Sequence, residues 1–224
     1  MATYTIFSPF SGQAISLNCY CGRRTYNPCN TTACPQSGET QHPFCKDIIN
    51  INCTGCSTCF CSKCCLHIVT ETGYKAPFDI SASNNAWITA YMSANILSVK
   101  ISHMDDVCAS ETGEINQGVF LEAWTGSNAT GKKLGRLLYG HVKNRQYNGQ
   151  IINKTCPFGC ESLWFLSIGQ IPAVPGGYTG TCYKSTHVHL EIKEETGVVA
   201  SRTNSFQCNQ TLSAGVSPIY WWTY

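Results

Sequence analysis

Charge is scarce in this chain. Asp, Glu, Lys and Arg make up 12% of its 224 residues, and the formal net charge is +2. No Lys/Arg run exceeds "GKK" or "CGRR", so the sequence lacks the basic footprint of a nucleic-acid-binding domain. Long apolar runs are missing as well. No stretch approaches the ~18 consecutive apolar residues of a membrane span. The opening "MATYTIFSPFSGQAISLN" has no basic segment leading into a continuous apolar one, so no signal peptide is visible. Helical periodicity is absent too: no window longer than ten residues holds a 3.6-residue apolar repeat. Helices should therefore be few and short.

Cysteine, by contrast, is abundant. Sixteen cysteines is an even count far above cytosolic usage, and it predicts a disulfide-rich protein of an oxidising compartment: secreted, extracellular or virion-like. Spacing fixes no pairing. Five Asn-x-Ser/Thr sequons, at Asn30, Asn52, Asn128, Asn153 and Asn209, point the same way and are candidate glycosylation sites. The segment "CTGCSTCFCSKCC", residues 53–65, holds six cysteines in thirteen residues. Such density suits thiolate zinc binding or a disulfide cluster. The ten cysteines scattered elsewhere favour disulfides, and His67 beside the cluster reads as a surface or packing residue.

Short alternating runs fill the rest: "AWITAYMS", "ILSVKIS", "GVFLEAWTG", "SLWFLSIGQI" and "HVHLEI", separated by turn signals such as "GSNATGKK" and "VPGGYTG". This pattern predicts a mostly β protein built on antiparallel sheet. The reading divides the chain into a disulfide-tied extension (1–40), a β domain with the cysteine-rich insertion (41–195), and a C-terminal extension (196–224). That last segment ends in "IYWWTY", which either caps the core or docks on a neighbouring chain.

The run "STHVHLEIK" spends two of only six histidines on one strand. Val188, Leu190 and Ile192 alternate with His187, His189 and Glu191, so the two imidazoles and the carboxylate share a face. Two imidazoles on a rigid strand suit a metal or acid–base work; a solvated polar face is the ordinary use of such a strand. Both readings stay open on these residues alone. His141 lies upstream in "LLYGHV", with Tyr139 on the same strand face, and His42 in "QHPFCKD" stands five residues before Asp47. His103 and Asp105–Asp106, in "ISHMDDVC", read as loop residues.

This order of elements resembles the lysostaphin-type zinc metallopeptidases, whose relatives include a vertebrate leukocyte chemotaxin. In that family a His-x-x-x-Asp element precedes a strand ending Tyr-(Ala/Gly)-His, and a His-x-His strand closes the domain. "LLYGHV" looks like the middle element and "THVHLEI" the closing one. "SPF" (8–10) and "YKAPFDI" (74–80) resemble lesser landmarks. The likeness spans about residues 40–195. One departure stands out: four residues separate His42 from Asp47, where the family has three.

The resemblance implies one catalytic Zn2+ held by His42, Asp47 and His189, with His141 and His187 as catalytic imidazoles. Glu191 would orient a ligating imidazole from behind. It further implies a secreted zinc endopeptidase that hydrolyses peptide cross-links such as those of bacterial peptidoglycan. The alternative is a non-catalytic, disulfide-rich, glycosylated structural or binding protein on the same scaffold: a ligand, or a filament subunit self-associating through its C-terminal aromatic segment.

Overall fold

The structure is a computed structural model. It describes residues 1–10, 13–16, 19–21, 24–26, 74–107, 112–155, 162–179, 183, 185–202 and 211–224. His42, Asp47, His67, the segment 53–65, Asn30, Asn52 and Asn209 lie outside the described residues.

The first strands are β1 (Thr3–Phe7), β2 (Gln13–Ser16), β3 (Cys19–Cys21), β4 (Arg24–Tyr26) and β5 (Tyr74–Ser81). Next come β6 (Trp87–Ser93), β7 (Ser98–Met104), β8 (Gly118–Trp124), β9 (Lys133–Gly140) and β10 (Ile151–Asn153). The last are β11 (Leu163–Gln170), β12 (His187–Glu194), β13 (Val199–Arg202), β14 (Thr211–Leu212) and β15 (Pro218–Thr223). The described helical structure is limited to 3-10 turns at Gly113–Asn116 and Ser127–Ala129. No described helix is long and apolar enough to cross a membrane.

The strands form a five-stranded sheet, β11-β6-β1-β15-β13, an eight-stranded sheet, β10-β7-β8-β9-β12-β5-β2-β14, and the β3–β4 ribbon. Every pairing is antiparallel. Strand alternation decides what lies between the two large sheets. On β6, Ile88, Ala90 and Met92 are buried while the residues between them are not. These side chains share one core with Val119 and Leu121 of β8, Leu137 and Tyr139 of β9, and Val188, Leu190 and Ile192 of β12. The result is a β-sandwich with one apolar interior. Fully burying each such side chain contributes about 1.5–3 kcal/mol.

Residues 1–40 and 196–224 were read as flanking the β domain, the second as a segment that caps the core or docks on a neighbour; of their described parts, β1 and β15 pair with each other inside the five-stranded sheet, Thr5 opposite Trp221. Tyr220 and Trp222 are buried between the sheets. Tyr220 Oη donates to the Leu190 carbonyl at 3.1 Å, and Trp222 Nε1 to that of Lys193 at 3.1 Å. The chain ends are thus part of the core. Trp221, Thr223 and Tyr224 of the same terminus are not buried. His103, read as a loop residue, lies on β7 and holds the Gln146 carbonyl at 3.1 Å.

Gly135 shows how closely β9 approaches both its neighbour β12 and the opposite sheet. A Cβ there would run into the Lys193 carbonyl oxygen and stand 2.6 Å from Trp222 Nε1. Gly135→Ala should therefore destabilise the fold by about 1–3 kcal/mol through overpacking, and Trp222→Ala by about 3–5 kcal/mol, as read by chemical denaturation. On the outer face, Glu122 holds Arg136 at 2.8 Å and Lys133 at 3.1 Å. Burial would raise its pKa, but these hydrogen bonds and charges outweigh it and lower the value from 4.5. A lowered carboxylate adds stability above its unfolded pKa and loses it as the pH falls through the folded one. Acid titration of stability should accordingly lose part of its slope below about pH 4.5 in Glu122→Gln.

Candidate functional site

Asp79 is the residue around which the site assembles. It lies on β5, 1% exposed, directly opposite His189 of β12 in the ladder. A carboxylate buried so fully requires partners. His189 Nδ1 is 3.1 Å from its Oδ1, and His187 Nε2 is 3.6 Å from the same oxygen. On the far side of the His189 ring, Nε2 meets Glu191 Oε1 at 2.6 Å. The alternation of β12 thus puts Val188, Leu190 and Ile192 in the core and His187, His189 and Glu191 on the outer face of the eight-stranded sheet.

The neighbouring strand makes room for these rings. Gly140 of β9 pairs with His189, and a Cβ there would lie 3.1 Å from His189 Cβ. His141 follows at φ 60, a left-handed conformation uncommon for a non-glycine residue. The turn carries its ring to 4.7 Å from that of His187 and 6.2 Å from that of His189, centroid to centroid. Tyr183 packs against His141 at 4.7 Å and His187 at 4.9 Å, and its Oη donates to the Pro172 carbonyl at 2.7 Å.

Outward hydrogen bonds set the tautomers. His141 Nδ1 faces the Ile115 carbonyl, and His187 Nδ1 faces that of Ser185 at 2.6 Å. Carbonyls only accept, so each Nδ1 carries the proton and each Nε2 of a neutral ring carries a lone pair. His187 Nε2 is buried without a hydrogen-bond partner. His141 is held well below the ordinary 6.5, by burial first and then by the nearby His187 and His189, which outweigh the Ile115 carbonyl and Asp79; it is neutral at physiological pH. His189 is pushed up to about 9: burial would lower it, but the hydrogen bonds and charges of Asp79 and Glu191 prevail. In the metal-free protein a proton accordingly sits between carboxylates on this ring.

A zinc ion is the cofactor the sequence implies. In a neutral His189 whose Nε2–H donates to Glu191, Nδ1 turns a lone pair toward Asp79 Oδ1. A separation of 3.1 Å between the two donors suits adjacent ligands of one tetrahedral ion at metal–ligand distances of about 2.0–2.2 Å. Among the described residues, no group of three or more His, Cys, Asp or Glu side chains is arranged to hold a metal ion. Asp79 and His189 are two neighbouring groups of metal-ligating type, short of a closed cage.

Of the residues singled out from the sequence, His141, His187, His189 and Glu191 converge here. Tyr139 does not: it faces the opposite way, into the core. Asn128 and Asn153 lie at the other side of the sheet and bond each other, Asn153 Nδ2 donating to Asn128 Oδ1 at 2.8 Å. Asp79 and Tyr183 had no assigned role. A signal for Asp79 was present in "YKAPFDI", where one acid interrupts an apolar strand. No known protein family, curated protein or solved structure matches this chain.

Burial makes the His189–Glu191 contact strongly coupled. A double-mutant cycle of His189→Ala and Glu191→Ala should give an interaction of about 0.5–3 kcal/mol, with Glu191→Ala alone costing about 1–3 kcal/mol because it removes one of the two carboxylates that meet the His189 ring. Additive effects in that cycle would mean the contact is not formed in solution.

Proposed function

We propose that this chain is an extracellular zinc-dependent hydrolase of peptide bonds, acting on cross-links of the bacterial cell-wall kind. Asp79 and His189 are its proposed metal donors, and His141 and His187 its catalytic imidazoles. The observation that supports the reading is the convergence of two imidazoles on one buried carboxylate oxygen: His189 Nδ1 at 3.1 Å and His187 Nε2 at 3.6 Å from Asp79 Oδ1. The proposed donor set differs from the sequence expectation. Asp79 takes the carboxylate role given to Asp47, because it stands opposite His189 in the ladder. His42 and Asp47 lie outside the described residues and enter only as test variants.

Zinc, when bound, would acidify a water and polarise the scissile carbonyl. The chain's own groups supply the rest. His141, neutral and with Nε2 unprotonated, is the general base that takes the water's proton. His187 is the second catalytic imidazole: its Nδ1 is held by the Ser185 carbonyl, and its buried Nε2 is the ring nitrogen left to meet the reacting group. Tyr183 packs against both rings and holds them in place. Glu191 keeps the Nε2 proton of His189, fixing Nδ1 as the donor. The substrate class rests on the resemblance of "LLYGHV" and "HVHLEI", and the extracellular setting on the sixteen cysteines.

A second reading, a non-catalytic binding or structural protein, draws on one observation. His189 as an imidazolium between Asp79 and Glu191 is fully satisfied without a metal. Metal analysis combined with digestion of purified peptidoglycan separates the two. The hydrolase reading expects one zinc per chain, release of free amino groups, loss of zinc in Asp79→Asn, and at least about a hundredfold loss of turnover with zinc retained in His187→Ala. An unchanged zinc content in His42→Ala and Asp47→Ala would remove both from the donor set. A zinc-free, inert wild type would leave the second reading standing.

A further inference from the structure

The two large sheets present contrasting outer faces. The eight-stranded sheet carries the histidines, Asp79 and the Glu122–Arg136–Lys133 ion pairs. On the five-stranded sheet, strict alternation in β1 and β6 turns every second residue outward. Among the described residues, those outward positions hold aromatics, Thr, Ser, Leu and Val, and no charged side chain.

The aromatics are ordered by register. Phe165 of β11 pairs with Tyr91 of β6, and Tyr91 with Phe7 of β1. Three rings therefore cross three adjacent strands in one row, at the ladder spacing of about 4.8 Å. Phe165 and Tyr91 lie 5.6 Å apart at a 43° tilt. Trp87 sits four residues from Tyr91 on β6, and Trp221 faces outward on β15 beyond Thr5. Phe165 is 62% and Trp87 51% exposed, a large apolar area for a face left to water. Hydroxyls separate the rings: Thr89 stands between Trp87 and Tyr91, its Oγ1 3.2 Å from Ser167 Oγ.

Charge complementarity narrows the occupant. Nucleic acid, anionic membrane and acidic polymers all need cations that this face lacks. A neutral sugar polymer matches both components, since a pyranose offers an apolar C–H face to an aromatic ring and hydroxyls to Ser and Thr. Gly215 packs against the Tyr91 ring, so the open rings of this face are Phe165 and Trp87. We propose that the outer face of the five-stranded sheet is a binding platform for a neutral polysaccharide, with Phe165 and Trp87 stacking on sugar rings and the half-buried Tyr91, Phe7 and Trp221 flanking them. The platform lies on the opposite sheet from the histidines and does not depend on the hydrolase reading.

Co-sedimentation of the full chain with microcrystalline cellulose and with chitin tests the platform. Wild-type protein should bind at least one of them, with affinity unchanged at about 1 M salt, where exposed ionic contacts are screened. Phe165→Ser and Trp87→Ser should each weaken binding about tenfold, and the pair should abolish it. Phe165→Trp should retain binding, as should Ile151→Ser, which removes an exposed residue from the other sheet. Near-ultraviolet circular dichroism checks that each variant is folded. Failure of the wild type to bind either polymer overturns the proposal, and so does binding that survives the double variant. A concentration-dependent dimer dissolved by Phe165→Ser, without polymer binding, would overturn it in favour of a second copy.

Discussion

Burying a carboxylate inside a sheet is unfavourable unless opposite charge and hydrogen bonds meet it. At the centre of the eight-stranded sheet two carboxylates, Asp79 and Glu191, are buried with one imidazole, His189, between them. The other site features follow from satisfying that arrangement. The ladder must set Asp79 opposite His189, β9 must offer a glycine where the ring needs space, and His187 is drawn to the same oxygen.

The sandwich makes such a site tolerable. Its inner faces are almost wholly apolar, so polar groups are confined to the outer surfaces and to strand ends. Rigid strands keep the imidazoles in fixed relation, while the strained backbone at His141 and the short Gly113–Asn116 turn bring a third ring to the cluster. The same alternation, applied to the other sheet, produces the uncharged aromatic face. One structural rule thus generates two unlike surfaces on opposite sides of the molecule.

Much of the fold was legible because period-2 alternation is local. The runs at β6, β7, β8, β11 and β12 could each be read from a handful of residues. Their partners could not. β1 and β15 pair across almost the whole chain, Thr3 opposite Thr223, and no local pattern marks two terminal segments as neighbours. The site divided the same way. His187, His189 and Glu191 lie on one strand and were visible as a unit, and His141 was marked by its flanking residues. Asp79 lies 110 residues from His189, and no local pattern names that partner; only the presence of one acid within a largely apolar strand marks it, since a buried carboxylate demands a partner.

X-ray absorption spectroscopy of the zinc-loaded protein bears most directly on the central claim, because it distinguishes the imidazole–carboxylate site from the cysteine-rich segment. The account predicts a coordination shell of nitrogen and oxygen at about 2.0–2.2 Å with imidazole scattering and no sulfur, lost in His189→Ala. A sulfur shell at about 2.3 Å, or a spectrum unchanged in His189→Ala, would contradict it.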